Sequence, residues 1–150
     1  MITYNLENVT DKFIDDIMPI LEVHRKELQS YDDMRLNPDW DTYRVMDKSE
    51  NLVNFVARDE DDNIVGYVAY FLSYNMHYSD FLYAQQDVFY VVPDRRGSRI
   101  AVNLLKKSEK ILKHRGVDTI THHAKAKNNF SQFLQKFGFK ETEIMLGKRI

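Results

Sequence analysis

"VVPDRRGSRIAVNLLKKSEKILKHRG", residues 91–116, passes from an apolar run into an amphipathic helix through a turn crowded with arginine. Ala101, Leu104, Leu105, Ser108, Ile111 and Leu112 recur on one helical face, and Lys106, Lys107, Lys110 and Lys113 hold the other. That spacing predicts a helix packed on a sheet, closed by Gly116 as a C′ glycine. Upstream, Val88 to Val92 form an unbroken apolar run, as expected of a central strand covered on both faces. Arg95, Arg96 and Arg99 crowd the helix start, where unsatisfied N–H groups already favour an anion. The guanidinium groups of Arg96 and Arg99 would add charge-assisted bonds to a phosphate there. The corner therefore reads as a phosphate site, against the plainer reading of solvent-facing turn arginines.

Outward from this corner the chain alternates strands and helices. "ITYNL" reads as a first strand, and Thr10 caps a helix from Asp11 to about Gln29 with Ile14, Ile17, Leu21 and Leu28 on one stripe. Pro19 predicts a kink or a second start. "NPDWDTYRVMD" reads as a loop entering a short helix, with Pro38 near its first turn. A meander follows: "LVNFVAR", the turn "DEDDN", "IVGYVAYFLSY" and "FLYAQQDVFYVV". After the basic helix come a strand in "VDTITHHA", a short helix in "NFSQFLQKF" and a terminal strand region in "FKETEIMLGKRI", bent at Gly147. The order β-α-α-β-β-β-α-β-α-β predicts an α/β (α+β) fold: a mixed sheet, antiparallel first, then a crossover through the basic helix, with about four flanking helices.

The 150 residues fit one domain, 1–150, with a real core. A hydrophobic share of 43% and a charged share of 29% are ordinary for a folded soluble protein. The absence of cysteine removes disulfides, thiolate zinc sites and cysteine nucleophiles, and suits a reducing cytoplasm. The opening "MITYNLENVTDKF" has neither a basic start nor an apolar h-region, so no secretory signal is expected. No apolar run approaches the ~20 residues of a membrane helix. The net charge of −2 hides an asymmetry: residues 1–90 carry 7 basic and 18 acidic residues, residues 91–150 carry 14 and 5. Either the charges decorate solvated faces, or an anionic ligand sits on the C-terminal half and a cationic one is drawn to the N-terminal half.

Several chemistries are excluded. Gly66, Gly97, Gly116, Gly138 and Gly147 are too far apart for GxGxxG or GxxxxGK[ST], and no GxSxG or HExxH occurs. His122 and His123 are neighbours on a predicted strand and point to opposite faces, so no metal is expected. The lysine face of residues 106–113 invites nucleic acid, but the overall charge is negative and no aromatic residues interleave with it.

Val91-Val92-Pro93 followed by Arg96-Gly97-Ser98-Arg99-Ile100-Ala101 resembles the V-x-P strand end and R/Q-x-x-G-x-G/A pyrophosphate loop of the GNAT acyltransferases, which use acetyl-coenzyme A. "GVDTITHHAKAKNNFSQFLQKFGF" is similar to that superfamily's strand five, helix four and closing "lGF", and "IVGYVAYFLS" to its strand three. The compact copies found in tailed-phage genomes look most similar. The resemblance implies an N-acetyltransferase with acetyl-CoA as cofactor. Main-chain groups of Phe89, Tyr90 and Val91 would hold pantetheine, with the Val91 amide polarising the thioester. Arg96, Gly97, Ser98, Arg99, Ile100 and Ala101 would hold the pyrophosphate, and Asn128 or Asn129 would touch the cofactor. Two departures stand out: Arg99 occupies the place of the loop's middle glycine, and Leu134 that of the tyrosine many members use as general acid.

Acyl transfer to an amine requires a base, because at pH 7 only roughly one lysine-like amine in a thousand is neutral. Asp87, four residues before Val91, is the candidate, directly or through a water; burial would raise its pKa. The plain alternative is a carboxylate bonded to a backbone amide at a bulge. His123, Lys125 and Ser131 lie nearby in sequence. His24, Trp40, Tyr43, His77 and Tyr78 are candidates to line the acceptor pocket, and Asp32, Asp33, Asp39 and Asp41 would favour a cationic acceptor such as a polyamine, a lysine side chain or an aminoglycoside. The expected partners are a small-molecule or peptide amine, with a homodimer left open and neither membrane nor nucleic acid. The alternative is a weak or inactive GNAT-fold binding protein acting on a host partner.

Overall fold

The computed structural model describes residues 1–28 and 31–150. Five strands form one sheet in the order of the chain: β1 (Thr3–Leu6), β2 (Leu52–Arg58), β3 (Ile64–Tyr74), β4 (Leu82–Val91) and β5 (Thr119–Thr121). β1 to β4 are antiparallel and β5 is parallel to β4, as the predicted crossover requires. The helices are α1 (Asp11–Leu28), α2 (Trp40–Lys48), α3 (Ile100–His114) and α4 (Phe130–Gln135), and a single 3-10 turn at Pro93–Arg95 precedes α3. Among the described residues no helix is long and apolar enough to cross a membrane.

Local chemistry fixes the helix ends. The Thr10 hydroxyl accepts from the Phe13 amide at 3.2 Å, and Asp39 caps α2 by accepting from the Thr42 amide at 3.0 Å. α1 runs through Pro19 without a second start, because Phe13 and Ile17 anchor its buried stripe on the sheet. Its expected end at Gln29 lies outside the described residues. α3 ends in a Schellman motif: Val117 donates to the Leu112 carbonyl and Gly116 to that of Lys113, both at 3.1 Å, with Gly116 at φ +83°.

The sheet is buried on both faces. Val53, Phe55, Val68, Tyr70 and Ala84 pack against Ile100, Leu104 and Leu112 of α3. Leu52, Val56, Tyr67, Ala69 and Tyr90 pack against Val9 and the α1 residues Phe13 and Ile17. At Gly66 the helix comes so close that a Cβ would lie 3.0 Å from Leu104 Cδ1, 3.1 Å from Ile100 Cγ2 and 3.2 Å from the Tyr90 carbonyl. At the β2 end, buried Arg58 binds both Glu7 oxygens, at 2.7 and 2.9 Å, and Asp16 at 2.8 Å. Beneath α4, His122 joins Gln86 at 2.5 Å and the Tyr70 hydroxyl at 3.3 Å, with Phe89, Phe130 and Phe139 around its ring.

The terminal strand expected in "FKETEIMLGKRI" does not form: residues 139–150 are neither helix nor strand. A strand needs an edge, and β5 offers only three residues. The tail instead runs to Tyr31 and Asp33, where Arg149 pairs with Asp33 at 2.7 Å and lies 5.2 Å from the Tyr31 ring centre.

Two measurements follow from this packing. Gly66→Ala lowers stability by about 1–3 kcal/mol, read as a fall in the urea midpoint with the slope unchanged. Burial holds the His122 pKa down to about 4. Between its ordinary value near 6.5 and about 4, the unfolded chain binds a proton that the folded one does not. Stability therefore falls as pH drops through that window, by up to roughly 3 kcal/mol from this ring. His122→Phe flattens that slope whatever it costs at pH 7, as urea unfolding at pH 7 and pH 4.5 would show.

Candidate active site

β4 is where the sheet becomes irregular. Ala69 pairs with Val88 while Tyr70 pairs with Gln86, so Asp87 is the extra residue of a β-bulge. Strand alternation would send Asp87 and Val88 to opposite faces, but the bulge sets both on the face beneath α1 and α2. Gln86 is left on the other face, joined to His122. The second irregularity is at the edge: β5 pairs with β4 only from Tyr83 to Gln85. From Gln86 to Val91 the β5 side of β4 has no strand partner.

The direction of the unpaired groups follows from strand geometry. Val92 donates to the Val65 carbonyl of β3 at 3.0 Å. Main-chain direction alternates along a strand, so Val88 and Tyr90 also face β3, while Phe89 and Val91 face the open side. The expectation for Tyr90 is thereby corrected: its backbone is taken up by β3. Its ring instead stacks on His24 with centroids 4.2 Å apart.

The arginine turn continues from the open edge into α3. Gly97 adopts φ +80°, a left-handed conformation with open space around it, so backbone freedom is its contribution. Ser98 Oγ donates to the Arg95 carbonyl at 2.6 Å and accepts from the Ile100 amide at 3.3 Å. The α3 N-terminus has no side-chain cap from Arg99, so the loop presents amides at the positive end of a helix. Arg96 differs from the sequence expectation. Its guanidinium donates to the Val91 carbonyl at 2.9 Å and to Glu27 of α1 at 2.7 Å, and lies 5.1 Å from the Tyr90 ring centre. These bonds draw it away from the loop amides, and the phosphate-facing charge expected of it is spent on tying the loop to α1. Arg99 turns toward β1, lining a small cavity of about 340 Å³ with Ile2, Tyr4 and Asn103, so it does not cross the loop. Asn129 makes no capping bond at α4, whereas Asn128 accepts from the Phe130 amide at 3.1 Å. Leu134 is buried, so α4 brings no hydroxyl inward at that position.

On the other side of the bulge lies a cavity of about 730 Å³ between α1, α2, the loop 31–39 and the sheet. Of the residues expected to line it, His24, Trp40 and Tyr43 do so. His77 and Tyr78 do not; they sit exposed in the β3–β4 turn, held by Asn75, whose side chain accepts from both amides at 2.9 and 3.1 Å. The Tyr43 hydroxyl donates to Asp87 Oδ2 at 2.6 Å. Burial pushes the Asp87 carboxyl up, opposed in part by that hydrogen bond and by the nearby His123. Tyr43 is raised by burial and then by its bond to Asp87, so it remains a neutral donor. His24 Nδ1 meets the Tyr67 hydroxyl at 3.0 Å, and burial lowers the ring to about 4, so it is neutral at pH 7. Ser131 and Lys125 are not bonded to Asp87 in this arrangement; Lys125 lines the cavity.

Sequence reading did not reach Tyr67, Asn54, Arg25 or Arg35, which also line the cavity, nor Glu27 as the partner of Arg96. No local motif marks them. Asn54 and Tyr67 lie inside apolar runs, and the arginines face the cavity only because the loop 31–39 folds over α1.

Put together, a half-buried carboxylate with a fixed hydroxyl partner stands at the junction of a cavity and a strand edge without a strand partner. That edge leads directly to a helix N-terminus. Such a junction suits transfer between two ligands approaching from opposite sides. The model of the acetyltransferase (GNAT) family matches residues 14–139. No curated protein sequence matches significantly. Among solved structures, a predicted acetyltransferase with acetyl-CoA from Clostridium acetobutylicum is similar at 18% identity and TM-score 0.71, covering 99% of this chain and 96% of that one. The ribosomal-protein-alanine N-acetyltransferase of Brucella melitensis biovar Abortus 2308 aligns at 17% identity and TM-score 0.73, over 99% of both chains. An aminoglycoside acetyltransferase from an uncultured soil metagenomic sample, in complex with sisomicin, aligns at 17% and 0.76 over 99% and 96%. At these identities the structures attest the fold, and the family match extends over most of the chain: it belongs to the GNAT family of acetyltransferases.

Proposed function

We propose that residues 1–150 act as one acetyl-CoA-dependent N-acetyltransferase domain that works in the cytoplasm and acetylates a primary amine. The observation that carries this reading is Asp87, set by a β-bulge at the meeting point of the cavity and the open side of β4. Among the described residues, nothing else on the cavity floor combines a raised carboxyl pKa with a fixed hydrogen-bond partner.

The residues present fit acetyl-CoA, by the strand edge left unpaired beyond Gln85 and the uncapped α3 N-terminus. Phe89 and Val91 would hold the pantetheine arm through main-chain groups, and the main chain of Gly97, Ser98, Arg99, Ile100 and Ala101 the diphosphate at the positive end of α3. Asn129 would touch it from the start of α4. Arg96 acts by position, fixing the loop and the Val91 carbonyl. When bound, acetyl-CoA supplies an acetyl group activated as a thioester.

The chain's own groups do the rest. Asp87 takes the proton that the acceptor nitrogen must lose, and its raised pKa brings it nearer to the amine it serves. Tyr43 keeps Oδ2 fixed, leaving Oδ1 for the acceptor. The Val91 amide, facing the open side, can polarise a carbonyl oxygen there. An acceptor that arrives as an ammonium ion would give up two protons as it gains the acetyl group, one to Asp87 before attack and a second as the amide forms. Leu134 offers no acid at α4, so the leaving thiolate would take its proton from solvent, as a thiol pKa near ~8.5 permits.

Asp87→Asn lowers kcat by about 100-fold or more while calorimetry shows acetyl-CoA affinity nearly unchanged. Equal turnover in the variant across pH 6–9 overturns the role of Asp87. Tyr43→Phe removes a donor that favours the charged carboxylate, so the acidic limb of kcat/KM moves to higher pH. A limb that stays fixed or moves down contradicts the pairing as described.

A further inference from the structure

The carboxylates that sequence reading grouped around the acceptor are largely engaged elsewhere. Asp33 pairs with Arg149 at 2.7 Å. Asp32 and Asp41 do not line the cavity. Asp39 does, but both its oxygens are occupied by Thr42: Oδ1 accepts from the amide at 3.0 Å and Oδ2 from the hydroxyl at 2.6 Å. Asp39 is exposed to solvent at the start of α2, so Asp87 is the one carboxylate on the sheet side of the cavity among the described residues. Three cationic side chains, Arg25, Arg35 and Lys125, share the same walls.

The remaining surface is mostly apolar, with His24, Asn37, Asn54 and the tyrosine hydroxyls as its uncharged polar groups. Val9, Phe13, Ile17, Leu36, Trp40 and Leu52 form much of the lining, and Phe13 meets Trp40 edge to face with centroids 6.5 Å apart. A polycation would bring several ammonium groups past two guanidinium groups and a lysine into walls with one carboxylate to receive them. Each unpaired charge would keep its desolvation cost. An aromatic or branched aliphatic body loses nothing by entry and gains from every apolar contact.

We propose that the acceptor is a primary amine carried on an aromatic or branched apolar body, with a single positive charge. The amine reaches Asp87 while the body lies against Phe13, Ile17, Leu36, Trp40 and Leu52. This rests on the acetyltransferase reading above and narrows its acceptor.

Trp40 is the single tryptophan of the chain and lines the cavity, so its emission reports occupancy without any turnover. The test titrates the intact protein with phenylethylamine, spermidine and kanamycin, exciting at a wavelength that tyrosine does not absorb. Acetyl-CoA binding is measured separately by calorimetry. Phenylethylamine is expected to shift Trp40 emission saturably at a concentration at least tenfold below either polycation, and to be acetylated with at least tenfold higher kcat/KM. Leu36→Asp, a change in a loop, should weaken phenylethylamine at least fivefold while leaving the melting temperature and acetyl-CoA binding intact. If acetyl-CoA binds but spermidine or kanamycin matches or exceeds phenylethylamine in fluorescence and in rate, the apolar-amine assignment is overturned. If phenylethylamine fills the cavity while acetyl-CoA does not bind, the pocket chemistry stands and the transferase reading falls.

Discussion

Everything at the site depends on β4 and β5 remaining together for only three residues. Had β5 followed β4 to Val91, the amides of Phe89 and Val91 would be spent in the sheet, and the arginine turn would end a closed structure. Separation after Gln85 instead leaves a strand with one face of its hydrogen-bonding capacity uncommitted. The bulge at Asp87 begins where that pairing ends. One extra residue reverses the side-chain phase, so a carboxylate reaches the cavity face two residues before the open amides begin.

The charged residues divide into those that hold the fold and those that tune the site. Arg58 has a side chain 8% exposed and is bound to Glu7 and Asp16. Removing it would leave the partly buried Glu7 carboxylate without its guanidinium, on the order of 3 kcal/mol, while Asp16 keeps Lys12 at 2.7 Å. The Arg96–Glu27 pair is 44% and 35% exposed, so its worth to stability is about 1 kcal/mol or less. Its effect is geometric: it joins the C-terminal part of α1 to the loop and to the Val91 carbonyl, so the cavity wall and the strand edge share one tether. The basic excess of residues 91–150 and the acidic excess of residues 1–90 thus meet in specific pairs as well as acting as two broad fields.

The sequence showed the elements with simple periods. The lysine and leucine faces of α3 hold in the structure, with Leu104, Leu105, Ser108 and Leu112 buried, and the meander before it was readable from its turns. The bulge was not, because "QQDVFYVV" contains no glycine or proline to mark an inserted residue, and its apolar run conceals which residues face which helix. That is also why Tyr90 was grouped with Phe89 and Val91 although its backbone belongs to β3. His77 and Tyr78 suggested a pocket by residue type, but a pocket is a matter of which loops fold over which sheet. Tyr43 and Asp87 are 44 positions apart, and only the packing of α2 on the sheet brings them together. The terminal segment has the composition of a strand and lacks an edge on which to become one.

An uncommitted strand edge is also what one sheet offers another in aggregation. Here Phe89, at the start of that edge, lies beside α4, whose Phe130 and Phe133 pack on its ring with centroids 5.0 and 6.3 Å away. A slender extended chain can enter beside those rings, but the edge of a neighbouring molecule, with its own side chains and helices, is too bulky to follow. The packing of α4 on Phe89 therefore also shields this edge from a second sheet.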